Sequence, residues 1–214
     1  MFSVPSLLRL EEHRAFSNIA LSGKVLDLGG DKNSEYTSFF KGEFKITTVN
    51  ISKDAGSDVL CDLEKPLPIA DASFDHVLLV NALEHIFEYR ALLLEAVRVL
   101  KPEGSLVVVV PFLFPEHPSP RDYRRFTASA LQKELILLGM KDIFIKSLGG
   151  GVFSVRYLLI DRLLPGFLRF FNYYTFRHIT GFLDALLTNT ARIFGKKYSP
   201  DSYALGFCAV ARKS

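Results

Sequence analysis

The 214-residue chain has only two cysteines, Cys61 and Cys208, and neither stands at a metal-ligand spacing from the other. Both fall in strand-like runs, where a lone thiol behaves as a small buried hydrophobe, so a disulfide framework and a cysteine zinc site are disfavoured and a reducing compartment is expected. The opening Met1-Phe2-Ser3-Val4-Pro5 runs directly into Arg9, Glu11, Glu12 and Arg14, which leaves no apolar segment of the secretory-signal kind. The cytoplasm is therefore the expected location. No stretch reaches about 18 uncharged apolar residues, which argues against a membrane-spanning helix. Internal repeats and low-complexity tracts are also lacking, and the length fits one domain with a substantial core.

What the chain does have is a sequence of short apolar runs, each ending in a turn or a polar residue. Val25-Leu26-Asp27-Leu28-Gly29-Gly30 reads as a first parallel strand breaking into a glycine turn, where a missing Cβ allows a sharp bend and close ligand approach to the backbone. Thr47-Thr48-Val49-Asn50 closes a second strand, Asp58 to Leu63 a third, and Phe74 to Asn81 a fourth. Ala82 to Leu100 reads as a helix, Ser105 to Val110 as a fifth strand and Lys141 to Leu148 as a sixth. Thr127 is a suitable N-cap for a helix to about Leu138, with Gly139 as its stop. Strands alternating with helices predict a doubly wound α/β sheet. Ahead of it, residues 6 to 20 predict an amphipathic helix that packs on the sheet or closes over a ligand.

The series Leu67-Pro68, Ser73-Phe74-Asp75, Asn81-Ala82-Leu83-Glu84-His85 and Arg98-Val99-Leu100-Lys101-Pro102-Glu103-Gly104 resembles the class I S-adenosylmethionine-dependent methyltransferases, in their methyltransferase type 11-like branch. The resemblance covers roughly residues 22–150 and a last strand near 203–212. It implies a seven-stranded, mostly parallel Rossmann-like sheet forming a single domain. Its parts are an N-terminal helix over 1–21, a cofactor-binding core over 22–150, a helical insert or cap over 151–200 and a final antiparallel strand in 201–214. It also implies S-adenosylmethionine as cofactor and an enzyme that moves the cofactor's methyl group to oxygen or nitrogen of a small-molecule or glycan/lipid-linked acceptor.

Carried onto this sequence, the resemblance gives Gly29 and Gly30 close approach to the methionine part and Asp27 a negative charge near the cationic head. A third glycine usual in the family is absent, since Asp31 to Ser34 follow. The ribose position holds Asn50, followed by Ile51, where the family usually has an acid whose two oxygens take both hydroxyls; an amide offers one carbonyl oxygen. Asp62 matches the acid that accepts from the adenine amino group, with the Leu63 N–H left for a ring nitrogen. Asn81 and His85 lie under the methionine portion, and one of Asn81, Glu84 and His85 is expected to cap the following helix.

On the acceptor side, residues 111–127 form a four-proline loop carrying His117, Arg121, Asp122, Tyr123, Arg124 and Arg125. His117 is the natural base, with an unperturbed pKa near 6.5, and Tyr123 is its companion; stapling the loop is the plainer role for both. Arg121, Asp122 and Arg124 are expected to hold the substrate, with the arginines able to take a phosphate or carboxylate.

Between Val152 and Tyr198 stand 11 aromatics, seven Lys or Arg and two acids, so this stretch carries about +5 while the whole chain carries +3. Four readings stand: a substrate cap, an interfacial patch giving peripheral membrane contact, a homodimer interface, or ordinary core under a lid. A dinucleotide oxidoreductase is disfavoured because Gly-x-Gly-x-x-Gly is missing, and a nucleic-acid substrate because the positive charge is confined to the aromatic stretch. An inactive methyltransferase-like binding protein using the aromatic insert is the alternative, supported by Asn50 and the irregular glycine loop.

Overall fold

The computed structural model of the protein describes residues 5–175 and 177–214; residues 1–4, at the head of the lead-in segment, and Phe176, inside the insert, lie outside the described residues. Seven strands form one sheet: β1 (Gly23–Leu28), β2 (Phe44–Asn50), β3 (Val59–Leu60), β4 (Phe74–Val80), β5 (Leu100–Pro111), β6 (Met140–Leu148) and β7 (Gly206–Lys213), in the order β3-β2-β1-β4-β5-β7-β6. The first five pair in parallel, and β7 runs antiparallel to both β5 and β6.

Period-two alternation decides what each face buries. In β5, Leu106, Val108 and Val110 join one core cluster while Val107 and Val109 join the other, so its second half is an unbroken apolar run, as a strand covered on both faces requires. In β1, Leu26 and Leu28 face the first cluster and Val25 the second, which sends Asp27 to the second side. That side is covered by α1 (Leu7–Phe16), capped by the Ser6 hydroxyl accepting from the Arg9 N–H, with Leu7, Leu8, Ala15 and Phe16 buried against the sheet. The first side is covered by α2 (Tyr89–Val99) and α3 (Ala128–Leu137), whose N-cap Thr127 accepts from the Ala130 N–H.

Two elements depart from the sequence reading. The continuous helix expected over 82–100 is broken: a 3₁₀ turn spans Leu83–His85, Ile86 is extended, and α2 starts only at Tyr89. The cause is long-range, because the Arg124 guanidinium takes the Ile86 and Phe87 carbonyls at 3.2 and 2.9 Å, and the Phe87 N–H goes to Glu64 at 2.8 Å. The third strand is shorter than expected, two residues at the sheet edge with Leu60 exposed.

After β6, three helices precede the last strand: α4 (Val152–Leu163), α5 (Gly166–Thr175) and α6 (Arg177–Ile193). No described helix is long and apolar enough to cross a membrane. The order β3-β2-β1-β4 reverses between β1 and β4, and a doubly wound sheet opens its ligand crevice at the carboxyl end of such a switch point.

Candidate active site

At that switch point Gly29 turns with φ +97°, its N–H held by the Val49 carbonyl at 2.8 Å. A Cβ at Gly29 would stand 2.9 Å from the Ala82 Cβ, and one at Gly30 would stand 2.1 Å from the Asp27 Oδ2, so close packing against β4 and Asp27 requires both glycines. Asp27 lies wholly buried beneath the turn and accepts from the Tyr36 hydroxyl at 2.5 Å. Burial pushes its carboxyl up to about 7 despite the opposing Tyr36 hydrogen bond. Asn50 braces the turn: its amide nitrogen donates to the Gly29 and Gly30 carbonyls at 3.1 and 3.2 Å, and its oxygen accepts from the Ser52 N–H at 3.0 Å.

A cavity of about 440 Å³ opens beside this turn, and Gly29, Asn50, Ile51, Asp62, Leu63, Asn81 and His85 line it together with Arg121 and Tyr123 of the proline loop. Nine of the residues singled out in the sequence thus share one wall. Asp62 keeps one oxygen on the Glu64 N–H at 3.0 Å, an Asx turn that points the rest of the carboxylate outward. Asn81 occupies the left-handed region at φ +50° and donates to Glu12 Oε1 at 2.8 Å. Among the described residues, the buried side-chain oxygens with no hydrogen-bond partner are Glu12 Oε2, Asp27 Oδ1, Asn81 Oδ1 and both Glu84 oxygens. Every one is an acceptor, and their residues line the cavity wall or directly adjoin it. A ligand with a positively charged centre answers that demand.

Asp27, Gly30, His117, Asp122 and Arg124 do not line the cavity. Two of them are committed elsewhere. Asp122 receives Arg125 in a bidentate pair and the His117 N–H at 3.0 Å, and the Arg125 hydrogen bonds hold its carboxyl down at about 2. Arg124, besides its two carbonyls, lies over the Tyr89 ring at 4.3 Å. Both fasten the proline loop to the body. Arg121 is different: its guanidinium has no acid or carbonyl partner among the described residues and borders the cavity. Tyr123 borders it too, tied by its N–H to the Glu84 carbonyl at 2.9 Å and edge-on to Phe87.

His117 approaches from behind. Its Nε2 lies 3.6 Å from Glu84 Oε1, the same separation as His85 Nε2 from that oxygen, and the two imidazoles meet edge to face at 5.1 Å between centroids. The facing Glu84 carboxylate raises the proton affinity of His117 above the ordinary histidine value, against the opposing effect of burial.

Three contributors were not assigned a site role from the sequence: Glu12, Tyr36 and, as a charge facing both histidines, Glu84. Glu12 left one signal, since it sits four residues after Leu8 and three before Ala15, on the apolar face of α1. Larger open grooves exist elsewhere, among them one of about 740 Å³ lined by Asn18, His76, Phe144 and Arg212, far along the strands from the glycine turn and holding none of the expected residues.

Residues 28–108 match a family model described as a methyltransferase domain. A comparison with curated proteins finds no match. Solved structures of similar fold include a SAM-dependent methyltransferase from Archaeoglobus fulgidus, 15% identical with TM-score 0.59 over 96% of this chain and 94% of that one. A phosphoethanolamine N-methyltransferase 2 from Haemonchus contortus, in complex with S-adenosyl-L-methionine, is 15% identical with TM-score 0.58, covering 95% of this chain and 51% of its own. The Burkholderia thailandensis 1,6-didemethyltoxoflavin-N1-methyltransferase, with that substrate and S-adenosylhomocysteine bound, is 18% identical with TM-score 0.54 over 97% and 78%. At these identities the likeness is one of fold: the chain shares the fold of these methyltransferases, and its segment from the glycine turn through β2 and β4 to most of β5 is similar to the methyltransferase-domain model.

Proposed function

We propose that the protein transfers a methyl group to an oxygen or nitrogen of a small acceptor that carries an anionic group, with the acceptor entering between the proline loop and the cavity. The observation that carries this reading is the set of orphaned buried acceptors around the cavity: Glu12, Asp27, Asn81 and Glu84 each leave a buried oxygen without a hydrogen-bond donor. S-adenosylmethionine, when bound, supplies an electrophilic methyl on a sulfonium together with an ammonium group, the charge those oxygens lack. Asp62 and Leu63 would hold the adenine edge, Ile51 its apolar face, and Gly29 the methionine backbone. Asn50 has its amide nitrogen committed to the glycine turn, so its one carbonyl oxygen, already shared with Ser52, is what it has to offer a ribose hydroxyl.

On the acceptor side the free Arg121 guanidinium suits a phosphate or carboxylate, and Tyr123 lines the approach. Methyl transfer is a displacement in which alignment supplies roughly 7 to 11 kcal/mol, so the residues need mainly to position the acceptor and receive its proton. The Glu84, His85 and His117 cluster is where that proton goes. Calorimetry tests the cofactor reading: S-adenosylmethionine and S-adenosylhomocysteine should bind at micromolar level and NAD should not, and NAD binding alone would replace methyl transfer with an oxidoreductase. His117→Ala should lower turnover about 100-fold or more while leaving cofactor affinity within about twofold. Extracts incubated with radiolabelled cofactor and the enzyme then identify the acceptor.

A glycan or lipid-linked acceptor is favoured by the insert. Leu163, Phe167, Phe171 and Phe182 are 84%, 73%, 69% and 67% exposed, so these side chains are not core. Helices α5 and α6 would lie against the headgroup region of a membrane or along an amphiphilic acceptor, with the 1–214 chain working as one domain and 151–200 as its acceptor-side attachment.

A further inference from the structure

Glu84 is 0% exposed, and neither carboxylate oxygen has a hydrogen-bond partner. A buried, unpartnered carboxylate costs several kcal/mol unless a positive charge meets it. Two imidazoles face it, and the tautomer of each follows from its other nitrogen. His85 Nδ1 lies 2.6 Å from the Arg121 carbonyl and His117 Nδ1 lies 3.1 Å from the Pro115 carbonyl. A carbonyl oxygen only accepts, so both Nδ1 atoms carry hydrogen and both Nε2 atoms, in the neutral ring, present lone pairs. With both rings neutral, three acceptors converge with nothing between them to donate.

The spacing distinguishes what belongs there. Each Nε2 is 3.6 Å from Glu84 Oε1, beyond a good hydrogen bond. Two atoms bound tetrahedrally to one ion at about 2.1 Å stand about 3.4 Å apart, close to the separation found. One ligand atom from each of the three residues can be chosen so that all lie within 4.8 Å of one another. The Nδ1–H bonds to the Arg121 and Pro115 carbonyls are the kind of outer contact that fixes a metal-bound imidazole in orientation. Of the other charges nearby, Asp122 Oδ2 is 3.2 Å from His117 Nδ1, on the far side of the ring, and Arg125 is tied to Asp122.

We propose that Glu84, His85 and His117 form a three-ligand seat for a divalent transition-metal ion of the zinc type, whose open position faces the cavity through His85. Two imidazole nitrogens and one carboxylate oxygen suit zinc, cobalt or ferrous iron; magnesium prefers an all-oxygen octahedral shell. The open position suits an acceptor hydroxyl or amine, which loses its proton more readily on such an ion; with the ion seated, that proton passes to water in the cavity instead of to the two histidines. That role rests on the methyl-transfer reading; the seat itself does not.

The test is a metal titration of the whole protein, stripped with chelator and checked for its folded circular dichroism. Zn²⁺ is added in competition with a chromophoric chelator, Co²⁺ is followed by visible absorption, and S-adenosylmethionine binding is measured on the same sample. One equivalent of each metal should bind with micromolar or tighter affinity, and Co²⁺ should show the intense absorption of a four-coordinate site. Glu84→Gln and His117→Ala should each weaken Co²⁺ binding roughly 100-fold or more, while His13→Ala, on α1 with its ring stacked on Phe39 and apart from the three ligands, should not. Folded protein that binds S-adenosylmethionine but holds neither metal more tightly than about 100 μM would overturn the seat and leave a proton shared between Glu84 and a histidine. Metal binding indifferent to both ligand variants would overturn it as well, by moving the ion elsewhere. Metal binding with no cofactor binding would uphold the seat and remove its catalytic role.

Discussion

Buried carboxylates serve opposite ends in the two halves of this molecule. At the carboxyl rim of the sheet, Asp27 and Glu84 are wholly buried with carboxylate oxygens that have no hydrogen-bond partner, and Glu12 is buried with one such oxygen 3.4 Å from Arg9. In the insert, Asp184 is as buried but fully employed: it reaches from α6 to cap α4, accepting the Phe153 and Ser154 N–H groups at 2.9 and 3.0 Å and the Ser154 hydroxyl at 2.7 Å. Asp161 likewise receives Arg169 and Asn172 at 3.2 and 3.0 Å. A satisfied buried acid holds a fold together, whereas an unsatisfied one reduces stability and is retained where a ligand will meet it. The contrast separates scaffold from site without reference to any relative.

The sharpest way to break that contrast is at Asp27, because its burial should weaken the fold. Its carboxyl is raised from an ordinary 3.8 to about 7, so the folded protein binds more protons than the unfolded one between those values. For a raised acid, stability is greatest below the lower value, falls as pH rises through the window and is least above the upper one; three pKa units correspond to about 4 kcal/mol. Asp27→Asn should therefore be more stable than the parent at pH 8, by up to about that amount, and little different at pH 4, while binding S-adenosylmethionine more weakly. Chemical denaturation at the two pH values measures it. Parallel pH profiles for parent and variant would mean that Asp27 carries no such penalty.

Asp184→Ala should do the reverse. Removing the acceptor leaves two first-turn N–H groups of α4 and a buried hydroxyl without partners, at a cost of roughly 2 to 4 kcal/mol. Because the contact joins only α4 and α6, amide exchange should quicken in α4 and stay unchanged in β4 and β5. Uniform loss of protection across the sheet would show that insert and core unfold together.

Asp62→Ala comes next in size, with a cofactor dissociation constant 10- to 100-fold weaker, about 1.5 to 3 kcal/mol, and an unchanged denaturation midpoint. Its carboxylate has one structural contact, the Glu64 N–H, and otherwise faces the cavity. Unaltered affinity in the folded variant would take Asp62 out of the site.

How far these features were readable in the chain depended on the range of the contact behind each. β1, β4 and β5 were legible because a strand buried on both faces reads as a near-continuous apolar run, and Gly29-Gly30 because a sharp turn beside packed neighbours excludes a Cβ. The break in the 82–100 helix was not, since it is imposed by Arg124 from 38 residues away. The partnership of Asn81 with Glu12 spans 69 residues and leaves only an acid on an apolar helix face as its trace. Asp122 and Arg124 have the side chains of a substrate clamp, and composition alone does not distinguish a clamp from the loop staple they form.

The insert shows the same ambiguity in its aromatic spacing, and its resolution gives the smallest effect per residue. Phe167, Phe170 and Phe171 recur at three and four residues on α5, and Ile179, Phe182 and Leu186 at three and four on α6, a spacing that serves a buried stripe and a membrane-facing one equally. Here the stripes are exposed, and the segment from Val152 to Tyr198 adds seven basic residues against two acids. Partial insertion of the rings with attraction to anionic headgroups, about 1 kcal/mol for each basic residue near the surface, should pellet the protein with anionic vesicles at low salt and progressively less as salt shortens the screening length. Phe167→Asp with Phe171→Asp should abolish pelleting and leave cofactor affinity intact, since neither ring borders the 440 Å³ cavity. Failure of the parent to pellet, in protein that binds S-adenosylmethionine, would turn the exposed face toward a second copy of the chain, which sedimentation at increasing concentration would then reveal as a dimer.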